Sequence, residues 1–197
     1  MSEKLLGGLK KGLVFVVSAP AGTGKTTLVR MLQAEFPCVI ESVSYTTRGP
    51  RPGEQEGRDY HFISLDAFTK KIEEGEFLEH AKVFDHYYGT SQKFVEAQQD
   101  QGKHVLLVID TQGALQLKNH YNAVFIFISP PSLSELRTRL AGRRTETETM
   151  IEHRLSWAEK EMALASHYDY HIVNENLQTA YAVLRSILIA EEHRNHF

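Results

Sequence analysis

The residues that could do chemistry begin at Ala19-Pro20-Ala21-Gly22-Thr23-Gly24-Lys25-Thr26-Thr27. Gly22 and Gly24 let the backbone curl so that successive N–H groups point into one hollow. A hollow of that kind at a helix N-terminus holds phosphate. Lys25 adds a mobile point charge for the β- and γ-phosphates of a nucleotide, and the Thr26 hydroxyl is a ligand for Mg²⁺. The strict pattern wants glycine where this chain has Ala19, the smallest replacement. Just before the loop, Leu13 to Val17 is a short, β-branched-rich apolar run, which predicts a strand buried on both faces. A glycine-containing loop alone also fits an ordinary strand-to-helix turn. Strand, loop, Gly-Lys-Thr and helix start together point to a phosphate site.

A second constellation lies further on. Ser44, Arg48 and Arg51 surround a loop stiffened by Pro50 and Pro52. Two guanidinium forks held in place suit a phosphate monoester. Tyr60 and Tyr88 end short strands and can donate phenolic hydrogen bonds to the same phosphate. Taken alone, these residues fit a solvated arginine face with two packed tyrosines better than a phosphate clamp. Glu79 sits among Phe77, Leu78 and Ala81, an odd place for a carboxylate. It is either an outward strand residue or a base reader. Guanine would offer Glu79 its ring N–H and exocyclic amine, with a hydroxyl such as Ser44 serving the carbonyl. Adenine presents the opposite edge and would leave Glu79 unpaired. Asp110 closes the apolar run Val105 to Ile109, and the carboxyl end of a central strand opens on the same crevice as the phosphate loop. Positive charge gathers again at Arg137, Arg139, Arg143, Arg144 and Arg154.

The elements that must position these groups alternate between strand and helix. Strands are expected at 13–17, 39–44, 59–63, 77–84, 86–88, 105–110, 124–129 and 170–174. Helices are expected at 25–35, 65–74 behind Ser64, from Thr90 or Ser91 to Gln101, from Ser132 through Leu140, at 146–162 and at 177–194. Gly89 is read as ending its strand. This alternation means α/β: a three-layer parallel sheet with helices on both faces. Residues 1–44, 93–129 and 158–197 are expected to form the phosphate-binding core. A small mixed α+β insert (45–92) and a helical, arginine-rich segment (130–157) interrupt it. Two inserts over one phosphate site suggest two substrates and a cover.

Composition narrows the class further. At 197 residues the chain supports one large domain. A net charge of -3 offers no broad basic surface, so no nucleic-acid partner is expected. There is one cysteine, Cys38, hence no internal disulfide and a reducing compartment. No apolar run reaches membrane-spanning length, and the first residues lack a signal-peptide core, so the cytoplasm is expected by default. Among ten histidines, the pairs His167/His171 and His193/His196 have helix-face spacing. No cysteine or acidic cluster converges on them, so a surface role is preferred to metal binding.

The chain closely resembles the guanylate kinases from Gly12 to about Glu192. The resemblance rests on Ser18 to Leu28, Ser42 to Glu54, Gly57 to Phe62, Phe77-Leu78-Glu79, Tyr87 to Thr90, Ile109 to Gly113, Pro130-Pro131-Ser132 and Gly142 to Thr147. It implies phosphorylation of GMP, and of dGMP, by ATP with Mg²⁺. By position, Ser44, Glu79, Thr90 and Asp110 then correspond to guanine-side contacts. Arg48, Arg51, Tyr60 and Tyr88 correspond to a clamp on the GMP phosphate. Arg139, Arg143 and Arg154 correspond to lid arginines over the ATP phosphates. Lys25 and the loop 19–27 hold ATP, and Asn174 falls on the adenine side. Thr26 and Asp110 are the Mg²⁺ candidates. The family usually carries Asp-Ile-Asp where this chain has Val108-Ile109-Asp110, so one carboxylate is missing. Ala21 and Arg144 stand where Ser and Gly are common. Two rivals are carried: a non-catalytic module of the same fold, disfavoured by the intact Lys25 and Thr26, and a kinase for another nucleoside monophosphate. A P-loop GTPase is disfavoured because no Asn-Lys-x-Asp-type base motif follows the core strands. Oligomeric state is not legible.

Overall fold

The apolar run before the loop is strand β1 (Val14–Ser18), buried along its whole length. In the computed structural model, which describes residues 5–83, 85–142 and 147–195, β1 is the middle of a parallel five-stranded sheet. On one side it pairs with β7 (His104–Val108), which pairs with β2 (Val39–Glu41). On the other it pairs with β8 (Val124–Ser129), which pairs with β9 (Tyr170–Val173). Alternate residues of a strand point to opposite faces, so β1 feeds two cores. Phe15 and Val17 pack with Leu28, Val29 and Leu32 of α1 (Lys25–Glu35) and with Leu184 and Leu188 of α7 (Leu177–Glu192). Val14 and Val16 pack with Val95 of α3 (Gln92–Gln99) and with Ala114 and Leu117 of α4 (Thr111–Leu117). This is the α/β, three-layer architecture expected from the alternation. Among the described residues no helix is long and apolar enough to cross a membrane.

A second sheet has the order β4-β3-β6-β5. It comprises β3 (Tyr45–Thr46), β4 (His61–Phe62), β5 (Phe77–Val83) and β6 (His86–Ser91). Helix α2 (Leu65–Glu73) starts where Ser64 Oγ accepts the Ala67 N–H (3.2 Å) and is followed by Gly75 at φ +66°. Its fully buried Phe68 stacks on Phe77, ring centroids 4.6 Å apart. The strand expected over 39–44 stops at Glu41; residues 42–44 leave the large sheet and lead to β3 in the small one. Gly89 does not end its strand; β6 runs on to Ser91. A Cβ at Gly89 would stand 3.0 Å from the Phe77 ring and 3.1 Å from the Phe68 ring, so close packing explains this glycine.

The arginine-rich segment forms α5 (Leu133–Ala141) and α6 (Glu148–Ala163). Leu136, Leu140, Ile151 and Ala158 give these helices a small apolar core of their own. Helix α6 starts two residues later than expected, behind Thr147, and runs unbroken past the boundary expected at 157. Helix α4 was not anticipated: at seven residues it is too short to show a helical period. His167 ends a 3-10 turn and His171 lies on β9, so these two share no helix face. His196 lies outside the described residues.

Candidate active site

Between β1 and α1 the chain turns through Gly22 (φ +95°) and Gly24 (φ +98°), a left-handed backbone that favours glycine. The loop is pressed from two sides. A Cβ on Gly22 would meet Leu140 of α5 at 2.9 Å, and one on Gly24 would meet Asn174 Nδ2 at 2.7 Å. Asn174 is buried just past β9 and donates to the Thr23 carbonyl (2.7 Å). Its amide therefore braces the loop from behind. Helix N-termini leave N–H groups without intrahelical partners. Six of the seven described α-helices satisfy one of theirs with Ser64, Ser91, Asp110, Ser132, Thr147 or Asn176. Helix α1 has no side-chain cap. Its positive end faces the loop hollow, as an anion site requires.

That hollow belongs to a cavity of about 430 Å³. Its wall joins the run Ala19–Thr27 to Ser44, Arg51, Tyr60, Glu79, Tyr88, Asp110 and Arg154. Burial lowers the pKa of Lys25, while Glu161, Asp110 and Glu41 pull it back up. Glu79 is 5% exposed and accepts a 2.6 Å hydrogen bond from Thr90 Oγ1, its cross-strand neighbour. Burial pushes the Glu79 carboxyl up to about 7; Thr90 opposes the rise and nearby Asp110 adds to it. Asp110 caps α4, with Oδ1 accepting from Gly113 N (2.9 Å) and Oδ2 from Gln112 Nε2 (3.2 Å). Burial raises its pKa as well, against those bonds and Lys25.

A family model, Guanylate kinase, matches residues 11–191. The chain is 61% identical over 191 residues to the guanylate kinase of Protochlamydia amoebophila, covering 96% of this chain and 97% of that one. It is 47% identical over 188 residues to that of Thiobacillus denitrificans, covering 93% and 90%. A crystal structure of guanylate kinase from Anaplasma phagocytophilum superposes with a TM-score of 0.77 at 37% identity, covering 94% of this chain and 88% of that chain. The chain belongs to the guanylate kinase family. It is thus a kinase and a transferase, and the two donor-rich walls of one cavity make sense as places for two nucleotides.

Some residues carried over from the guanylate kinases stand back from the cavity wall. Arg48 is almost fully buried behind Tyr60 and Tyr88. Its guanidinium grips Glu54 with both forks (2.9 Å each), donates to the Gly49 carbonyl (2.7 Å) and reaches Tyr88 Oη through Nε (3.3 Å). Burial works against its charge, but Glu54 and Tyr88 more than offset that and hold it protonated. The Arg48 guanidinium also lies 5.3 Å from the Tyr60 ring centre. Thr90 is fully buried and orients Glu79. Arg139 is bound to Glu135 one turn earlier on α5 (3.0 Å). Arg143 and Arg144 lie outside the described residues.

Three residues were missed by the sequence reading. Glu54 stands in the Ser42 to Glu54 motif with no role assigned by sequence, yet a carboxylate beside Arg48 and Arg51 is a natural partner for them. Trp157 and Glu161 line the cavity with Arg154. Their spacing of three and seven residues from Arg154 puts all three on one face of α6. Burial pushes Glu161 up to about 7, with Lys25 opposing and Asp110 adding to the rise. Val108, where the family usually has a carboxylate, is half-buried in the same wall.

No group of three or more His, Cys, Asp or Glu side chains among the described residues is placed to hold a metal. Mg²⁺ in a phosphate-transfer site takes most of its ligands from waters and phosphates, with one or two oxygens from the protein. The Thr26 hydroxyl and the Asp110 carboxylate both lie in this wall and would be the protein's oxygens for such an ion. A shallow apolar groove of about 530 Å³ between β9 and α7 shares no residue with this cavity.

Proposed function

We propose that the protein transfers the γ-phosphoryl group of ATP to GMP, and to dGMP, giving the diphosphate and ADP with Mg²⁺ as cofactor. One observation carries the reading: the uncapped N-terminus of α1 and the buried carboxylate of Glu79 face the same cavity. The first suits a polyphosphate; the second suits a base edge made of donors.

The loop N–H groups and Lys25 hold the β- and γ-phosphates. Arg51, Tyr60 and Tyr88 take the GMP phosphate, with Arg48 stiffening the tyrosines and adding its charge from behind. Glu79 accepts from the guanine ring N–H and amine; Ser44, Thr90 and Asp110 complete the guanine side. An oxygen of the GMP phosphate attacks the γ-phosphorus, and the bond to the β-bridging oxygen breaks, leaving ADP. The attacking phosphate is already a dianion, so no general base is needed. Mg²⁺, held by Thr26 and Asp110 together with the phosphates, supplies charge neutralisation when bound. Residues 45–92 act as the GMP-binding insert and 130–157 as a lid on the core formed by 1–44, 93–129 and 158–197. Arg139, Arg143 and Arg154 move with that lid, whose closure excludes water and keeps ATP from being hydrolysed. Small purine nucleotides as substrates and a single cysteine fit the reducing cytoplasm.

The test is ADP release in a coupled assay with ATP and each monophosphate in turn. GMP should exceed AMP in kcat/KM by about 10⁴, because a site built to pair donors rejects the analogue lacking them. AMP turnover within tenfold of GMP would remove the guanine assignment. No turnover with any monophosphate would leave the non-catalytic module as the better reading.

A further inference from the structure

Position 113 breaks a local rule. Gly113 is the third residue of α4, counted from its cap Asp110, and it is buried. Its backbone does not adopt a positive φ, so the turn does not require glycine. Alanine is the better helix former at such a place. The requirement is space. A Cβ built on Gly113 would overlap Glu79 Oε2 outright, and would stand 3.1 Å from Glu79 Cδ and 3.5 Å from Asp110 Oδ1. Its three nearest neighbours are therefore the two carboxylates of the cavity wall. The helix cannot retreat to make room, because one turn later Gln116 grips the backbone of His80 on β5. Its Nε2 donates to the His80 carbonyl (2.8 Å), and its Oε1 accepts the His80 N–H (3.3 Å).

We infer that Gly113 is a specificity-determining position: the bare face it gives α4 seats one oxygen of Glu79, while Thr90 holds the other. Thr90 Oγ1 fixes Oε1 at 2.6 Å, and the absent side chain at 113 defines where Oε2 lies. Together they set the plane of the carboxylate. A carboxylate must lie in the plane of a base to take two parallel N–H donors, so this seat selects a purine that offers two donors side by side. The inference rests on the reading of Glu79 as the guanine acceptor.

The test uses the full chain with Gly113→Ala, Glu79→Asp, the double variant and Glu79→Gln. In Gly113→Ala only the end of a flexible side chain must move, so the melting temperature should equal or exceed that of the parent. The GMP KM should rise about 10- to 100-fold, the loss expected for one charge-assisted hydrogen bond, with the ATP KM unchanged. IMP lacks the exocyclic amine and has less to lose, so the GMP:IMP ratio in kcat/KM should fall. Glu79→Asp withdraws the carboxylate, so adding Gly113→Ala to it should change the GMP KM by less than about twofold, the non-additivity of residues in contact. An unchanged GMP KM and GMP:IMP ratio in Gly113→Ala, with Glu79→Gln still collapsing the ratio, overturns the role of Gly113 alone. An unchanged ratio in Glu79→Gln overturns the guanine reading beneath it. If Gly113→Ala does not fold, the double variant decides. A folded double puts the clash on Glu79 as inferred, and an unfolded one puts the added methyl against something else and overturns it.

Discussion

Glu54→Gln is the sharpest probe of how the GMP side is built. Glu54 joins three donors of its own loop: both forks of Arg48 at 2.9 Å each and the Arg51 N–H at 2.8 Å. The pair is mostly out of water, with side-chain exposures of 10% for Arg48 and 19% for Glu54. Glutamine keeps the shape but not the charge. It accepts with one oxygen and turns an N–H toward a guanidinium that also donates. Breaking a fully buried pair from one side costs about 3–5 kcal/mol. The partial exposure of Glu54 trims that to about 2–3 kcal/mol, the range of one or two hydrogen bonds to a charged group. Most of it should fall on the loop rather than on the global fold, since two-residue strands and turns open locally below the full unfolding free energy. Freed from Glu54, Arg48 can no longer hold Tyr88, so the phosphate clamp loosens. Steady-state kinetics with GMP varied at saturating ATP, and the reverse, should show a GMP KM raised about 30- to 150-fold, which is that energy converted at 1.4 kcal/mol per decade. The ATP KM should stay within about twofold, because the phosphate loop shares no partner with Glu54.

The pH dependence gives an independent check on the same pair. Burial alone would raise the Glu54 pKa, but Arg48 and the Arg51 N–H outweigh it and hold the carboxyl below the usual range. A depressed carboxyl contributes stability that is complete above its unfolded pKa and is lost only as pH falls through the lower folded value. Between pH 6 and 8 the pair is therefore intact, and the factor by which Glu54→Gln raises the GMP KM above the parent's should stay constant across that window. An unchanged GMP KM in Glu54→Gln, or an equal rise in both KM values, would refute the claim that Arg48 acts by organising the GMP side.

Three further outcomes follow from the same geometry. Lys25→Ala should abolish GMP-dependent ADP release while circular dichroism and melting stay near the parent's; normal turnover by a folded variant would remove Lys25 from the reaction. Asn174→Ala should raise the ATP KM with little change for GMP, because it removes the brace on Thr23; an unaltered ATP KM would mean the loop holds its shape alone. Glu79 titrates near 7, raised by burial, so the ligand-free carboxyl picks up a proton as pH falls through 7. The GMP KM should then rise from pH 8 to 6, and Glu79→Gln should flatten that dependence; a parent profile as flat as the variant's would contradict it. The sign for stability is opposite to that of Glu54. A carboxyl raised above its unfolded value of 4.5 contributes stability that is complete below about pH 4.5 and is lost as pH rises through 7, so the fold should lose stability across that window and not regain it above.

How much of this was legible beforehand depended on whether a feature has a local signature. The large sheet was, since Leu13–Val17, Val105–Ile109 and Val124–Ser129 are apolar runs of strand length between helical periods. The phosphate loop was, since its glycines are demanded by φ at Gly22 and Gly24. Helix α4 was not, because seven residues carry too few turns to show a stripe, and the Asp110 that caps it had been read only for its chemistry. Gly89 was misread for a related reason: two aromatic rings demand glycine there, and they come from Phe77 and Phe68, far along the chain. Glu161 was invisible because burial is a tertiary property. A polar helix of sixteen residues does not announce which carboxylate will face a cavity.

Some departures from local rules bear directly on function. Local rules predict a side-chain cap on every helix, alanine rather than glycine inside α4, and carboxylates in water. Departures from all three meet at one cavity. Helix α1 lacks the cap, Gly113 lacks the methyl, and Glu79, Asp110 and Glu161 are all raised by burial around Lys25. Each departure costs stability in the empty protein, and each cost is offset when a matching charge or donor arrives. Under the proposed function, phosphate would satisfy the N–H groups of α1, and guanine donors would satisfy Glu79. Both substrates should therefore raise the melting temperature by mass action, and together by more than either alone if closing over one reduces what the other must still order. A melting temperature that does not move with a non-hydrolysable ATP analogue and GMP would mean that these strained groups answer to something other than the two nucleotides.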